Sequence, residues 1–135
     1  MTKLSLAAEY VADTVGLILH LEKRKSGGCA EQLFDAAENT DTIIHIPAMV
    51  FAEILYLSEK KRISATLADV FHLLQNFPNF KEFPINLDVI KSADQITDVP
   101  ELHDRIISAT AKLLNLELIT NDKKIQNSNF IKTIW

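Results

Sequence analysis

Apolar positions along the chain alternate between two periods. Three short runs, "YVA" at 10–12, "TIIHI" at 42–46 and "LELIT" at 116–120, are β-branched, aromatic or continuously apolar and predict buried strands. Between them the spacing turns helical. Residues 14–21, 29–38, 87–96 and a stretch ending near 114 each carry an amphipathic or apolar stripe. A further helix is predicted from 64 to 75, where Leu67, Val70, Phe71 and Leu74 keep 3.6 spacing and Ser64 reads as its N-cap. "FKEFPI" predicts an edge strand and "FIKTIW" a final one. Asp98 and Glu101 have the spacing of a capping box, with Asp98 as the cap.

Short strands alternating with helices imply βα units, hence an α/β protein with a mainly parallel central sheet and helices on both faces. In such open sheets the functional crevice lies beyond the carboxyl ends of the strands. At 135 residues the size prior is a single domain over 1–135. The apolar stretch from Leu4 to Leu21 is interrupted by Glu9 and Asp13, so it predicts neither a signal peptide nor a membrane span.

One stretch resists the pattern. "PAMVFAEILYL", 47–57, is a helix built for burial, and Glu53 is its only charged residue. A carboxylate there is costly unless something compensates it.

Composition narrows the possibilities. The single cysteine, Cys29, excludes an intrachain disulfide and a multi-cysteine zinc site, and suits a reducing cytoplasm. A net charge of -4 argues against gripping nucleic acid by broad charge neutralisation. Local basic groups at Lys23-Arg24-Lys25, Lys60-Lys61-Arg62 and Lys123-Lys124 read first as solvated helix ends or loops. The four histidines are scattered without ligand spacing, His103 reading as a packing or capping residue, and no phosphate-binding glycine motif occurs. An aspartyl-nucleophile phosphatase would need a second Asp at the position held by Val15.

Four acids remain. Asp13 closes the first strand and Asp122 follows the strand ending at Thr120, so both belong at the carboxyl edge. Glu53 sits about two turns into the helix after the second strand. Asp104, with Ile107 and Ala111 at i+3 and i+7, borders an apolar helix face. Each has an ordinary alternative. Asp13 could cap a helix, Glu53 could pair with a buried Lys or Arg, Asp104 could pair with Arg105, and Asp122 could be a turn residue. Together they predict one convergent site. Two carboxylates about 5 Å apart repel by roughly 3 kcal/mol at an effective dielectric of about 20. Three or four stay ionised only around a cation, and an all-oxygen set favours Mg²⁺ or Mn²⁺, which suits phosphate chemistry.

The blocks "ADTVGLI", "VFAEILYL", "ELHDRIISATA" and "LELITNDKKI" resemble the PIN-domain nucleases, most nearly the VapC-type toxins of toxin–antitoxin operons. The resemblance covers nearly the whole chain in family order. It implies a three-layer α/β/α fold and a metal-dependent ribonuclease with Asp13, Glu53 and Asp104 as core ligands and Asp122 completing the quartet. Thr14, Thr120 and Asn121 would support ligands or water. It also implies a homodimer and a small antitoxin that blocks the site. Relatives often carry Gly where this chain has Asn115, a residue that tolerates the left-handed conformation. The rival class is a PIN-like module that binds RNA or a protein without cutting.

Overall fold

The computed structural model describes residues 8–135. Five strands, β1 (Glu9–Ala12), β2 (Ile43–Pro47), β3 (Phe80–Phe83), β4 (Glu117–Ile119) and β5 (Thr133–Ile134), form one sheet in the order β3-β2-β1-β4-β5 among the described residues. Every pairing is parallel, with Tyr10 beside Ile44 on one side and Glu117 on the other. The expected edge strand is found at one edge as β3. The final strand is shorter than "FIKTIW" suggests, only Thr133–Ile134.

Among the described residues seven helices accompany the sheet: α1 (Thr14–Leu21), α2 (Ala30–Asn39), α3 (Ala48–Glu59), α4 (Leu67–Asn76), α5 (Leu87–Gln95), α6 (Leu102–Leu114) and α7 (Lys123–Gln126). From β1 through β2 to β3 the chain steps one way across the sheet; through α5 and α6 it returns to lay β4 on the other side of β1. Right-handed crossovers then place α1–α4 on one face and α5–α7 on the other, a three-layer α/β/α arrangement. The direction of progression reverses between β1 and β4. That junction is where an open parallel sheet leaves a crevice.

The core is continuous. Val11 and Ala12 of β1, Ile44 and Ile46 of β2, and Leu118 and Ile119 of β4 are fully buried, with Leu17, Leu33, Phe34, Ile54 and Ile107 covering them from the helices. Near-continuous apolar strands are what a sheet covered on both faces requires. The chain end is held in as well. The Cys29 amide donates to the Trp135 carbonyl (2.9 Å), and Gly28, at φ +55°, passes so close that a Cβ there would lie 2.4 Å from that oxygen.

Two helix starts differ from the expectation. Thr66, not Ser64, caps α4 in a reciprocal box with Asp69. Ser64 instead donates, through both amide and hydroxyl, to the Glu22 carboxylate at the end of α1. Likewise Glu101, not Asp98, caps α6 by accepting from the Asp104 amide (2.8 Å). Asp98 turns away to accept from Ser128 Oγ and the Asn129 amide, both at 2.7 Å. A tertiary partner won over the local cap in each case. Among the described residues no helix is long and apolar enough to cross a membrane; the first four residues of the interrupted apolar stretch lie outside that range.

Candidate functional site

Four elements deliver the four acids to one cavity at the carboxyl edge of the sheet. The cavity, of about 580 Å³, is lined by Asp13, Glu53, Asp104 and Asp122 together with Thr14 and Asn121. Its size suits a ligand site. A second cavity, about 330 Å³, is lined by three acids, Glu31, Asp35 and Glu38, but Lys23 and Arg24 line it too, whereas no Lys or Arg lines the first.

Asp13 leaves β1 as the N-cap of α1, with extended backbone. One carboxylate oxygen accepts from the Thr14 amide and the other from Thr120 Oγ1, both at 2.6 Å. The side chain is only 6% exposed. The cap reading and the site reading are both satisfied by one residue. Thr14 in turn donates its hydroxyl to Glu53 Oε1 in a short hydrogen bond. Thr120 is also the acceptor for the Asp122 amide (3.1 Å), so one hydroxyl ties the ends of β1 and β4 together. Asp122 then caps α7, accepting from the amides of Lys124 (2.8 Å) and Ile125 (3.2 Å).

Glu53 lies on α3 between Val50 and Ile54, which are fully buried, and its side chain is 25% exposed. No Lys or Arg comes within ion-pair distance of it among the described residues; His103 Nδ1 lies 3.8 Å from its Oε2. That same nitrogen is 3.3 Å from Glu101. Asp104 does not use Arg105 either, because Arg105 donates its Nε to the Val99 carbonyl (3.0 Å).

The electrostatics carry the mark of crowded acids. Burial raises the Asp13 carboxyl, opposed by the bonds from Thr120 and Thr14, and the Asp122 charge raises it further. Burial likewise raises Glu53 against the hydrogen bond from Thr14, with the charges of Asp13 and Glu101 adding. Burial, then the charges of Asp122, Glu101, Asp13 and Glu53, push Asp104 up to about 6. The cavity holds more negative charge than the surrounding protein offsets.

Two residues escape the sequence reading. Glu101 adds a fifth carboxylate beside Asp104, and His103 lines the cavity rather than packing or capping. Both follow from the displaced start of α6, which a box centred on Asp98 hides.

The donor set fits a hard divalent cation in its chemistry. It offers carboxylate and hydroxyl oxygens whose mutual repulsion such an ion would relieve. Its spacing is more open than its chemistry. Among the described residues no three His, Cys, Asp or Glu side chains are drawn together closely enough to hold an ion as they stand. The acids ring a cavity rather than close a cage.

Comparisons with known proteins agree on the architecture. A family model described as PIN domain matches residues 10–130. Similar solved structures include VapBC2 from Rickettsia felis bound to a promoter DNA fragment, with a TM-score of 0.70 at 17% identity. DNA-bound VapBC from Salmonella typhimurium gives a TM-score of 0.67 at 15% identity, and FitAcB from Neisseria gonorrhoeae 0.62 at 18%. Each alignment covers 93% of this chain and 96% of the other. No curated protein sequence matches the chain significantly.

Proposed function

The chain belongs to the PIN-domain family, and from that premise we propose that it is a metal-dependent ribonuclease, the toxin of a toxin–antitoxin pair. The observation that carries this reading is the convergence of Asp13, Glu53, Asp104 and Asp122 on one cavity at the sheet's switch point. Glu53 and Asp104 have no Lys or Arg partner there among the described residues.

Asp13, Glu53 and Asp104 would hold Mg²⁺ or Mn²⁺, with Asp122 completing the set directly or through water. Bound there, the ion supplies charge neutralisation for a phosphodiester and acidifies a water for in-line attack. The chain's own contribution is to fix the oxygens. Thr120 orients Asp13 and, through the Asp122 amide, the turn after β4. Thr14 orients Glu53. The amides at the start of α7 hold one Asp122 oxygen and leave the carboxylate facing the cavity. Asn121 adds a neutral amide at the rim, suited to a phosphate oxygen or water. The toxin part of the reading draws on the similar solved structures, among them a toxin–antitoxin complex from Klebsiella pneumoniae with a TM-score of 0.64 at 21% identity. It implies a small protein partner that covers the cavity, a homodimer, and a cytoplasmic site of action.

The rival, a module that binds without cutting, is favoured by the open spacing of the acids. One assay separates the two. The purified protein is expected to cleave single-stranded RNA in Mn²⁺. Asp13→Asn and Asp104→Asn should each lower the rate at least a hundredfold while keeping a cooperative melt. Equal cleavage by the variants, or none by the wild type, contradicts the nuclease.

A further inference from the structure

The acids account for only one half of the cavity. The other half is apolar, walled by Val15 and Ile18 from α1 and by Met49, Tyr56 and Leu57 from α3. On α3 these positions follow directly from Glu53. Tyr56 and Leu57 stand at i+3 and i+4, so they share its face about one turn, roughly 5 Å, further along the axis. Tyr56 is 52% exposed and Val15 42%, unusual for side chains lining a concavity beside a buried core. One turn beyond, Lys60 places its ammonium 5.6 Å from the centroid of the Tyr56 ring. Along α3 the order is therefore Met49, the Glu53 carboxylate, the Tyr56 ring with Leu57 beside it, and then the Lys60 ammonium.

We propose that this slot is a nucleobase subsite, in which an unstacked base next to the scissile phosphate lies against Tyr56 while Lys60 meets the neighbouring phosphate. The inference rests on the ribonuclease reading and specifies how the substrate sits. Continuity carries it. A phosphodiester brought to the acids has a base attached on each side, and the cavity that holds the acids extends in one piece into the apolar slot. A flat π-face with an apolar surround and no stringent donor pattern favours stacking over base-edge readout. A base can enter only if it is out of its helix, so the substrate segment at the cut is unpaired. Charge points the same way. The acids repel backbone phosphates, and Lys60 offers the first compensating charge along this face.

The test uses the full chain and short fluorescein-labelled RNAs in Mn²⁺. Binding is measured by anisotropy on the Asp104→Asn background, so that it is read apart from cleavage. Tyr56→Ala is expected to weaken binding about tenfold, and Tyr56→Phe to stay within about twofold of the parent, since stacking needs the ring and not the hydroxyl. Removing one base next to the cut, as an abasic nucleotide, should erase the difference that Tyr56→Ala makes. In the cleaving protein the loss should appear in KM more than in kcat. Unchanged RNA binding by Tyr56→Ala overturns the subsite and leaves the slot to an apolar protein segment. Failure of the wild type to cleave would count against the nuclease, whereas the anisotropy series judges the subsite on its own.

Discussion

Glu53 costs the protein stability and Glu22 repays some of it, although both are glutamates set against an end of α1. Burial and like charges surround Glu53, and among the described residues its compensation is the Thr14 hydroxyl and a histidine at the edge of ion-pair range. Glu22 is the reverse case. Its carboxylate accepts from the Ser64 amide (2.7 Å), the Ser64 hydroxyl (2.9 Å) and the Ala65 amide (3.0 Å), with Arg24 at 3.1 Å. The Ala65 amide foremost, with the Ser64 and Arg24 bonds against a smaller desolvation, lowers its pKa from 4.5 to about 2. An acid whose folded pKa is depressed stabilises the fold above its unfolded pKa and loses that contribution as pH falls through the folded one. Glu22→Ala should therefore destabilise the protein by about 1–3 kcal/mol at pH 7. The gap from wild type should close between pH 4.5 and about 2, as read by denaturant melts across that window. A gap constant down to pH 2 would show that packing, not charge, holds the joint. Nothing in the sequence singles out Glu22, because Ser64 and Ala65, which supply three of its four hydrogen bonds, are 42 and 43 residues away. Glu53 was legible because a charge inside an apolar stripe is a local anomaly.

At the scale of elements, helix ends decided what could be foreseen. Asn115 ends α6 in the left-handed conformation, φ 56° and ψ 45°, and its amide bonds back to Lys112 and Ala111. The sequence already pointed there, since Asn is among the few residues that accept this geometry without large strain. Asn115→Gly is expected to leave the melting temperature within a degree or two, whereas Asn115→Val should cost about 1–2 kcal/mol. Equal stability of the Val variant would remove the cap from the account. The caps that misled, Ser64 and Asp98, share a cause. Both are sound local candidates, but each has a better distant partner, Glu22 for one and the turn at Ser128 for the other. The four-residue α7 is too short for periodicity to register; only Asp122, its cap, was visible, and it was visible as an acid.

For the whole molecule, the sheet order turns separate acids into a site. Asp13 and Asp122 are far apart in sequence, yet β1 and β4 are neighbours, paired through Val11 and Leu118, and a single hydroxyl on Thr120 reaches both acids. The parallel α/β class and the carboxyl-edge placement were legible from alternating strands and helices, because parallel strands have one functional edge. The order of the strands was not, since it depends on which crossovers pack best rather than on any short stretch. Nor was the apolar half of the cavity, because Val15 and Tyr56 read as ordinary helix positions until α1 and α3 are set side by side.

On the proposed reading, a divalent cation among the four acids would relieve the repulsion that helps raise Asp13, Glu53 and Asp104. Thermal melting in millimolar Mn²⁺ against EDTA tests this most directly, because it needs no substrate and reads binding through its linkage to folding. The wild type should gain roughly 5 °C or more in melting temperature. Asp104→Asn should melt higher than wild type in EDTA, having lost one crowded charge, and should lose most of the gain with Mn²⁺. A wild-type melting temperature unmoved by Mn²⁺, or an equal rise in Asp104→Asn, would contradict the account.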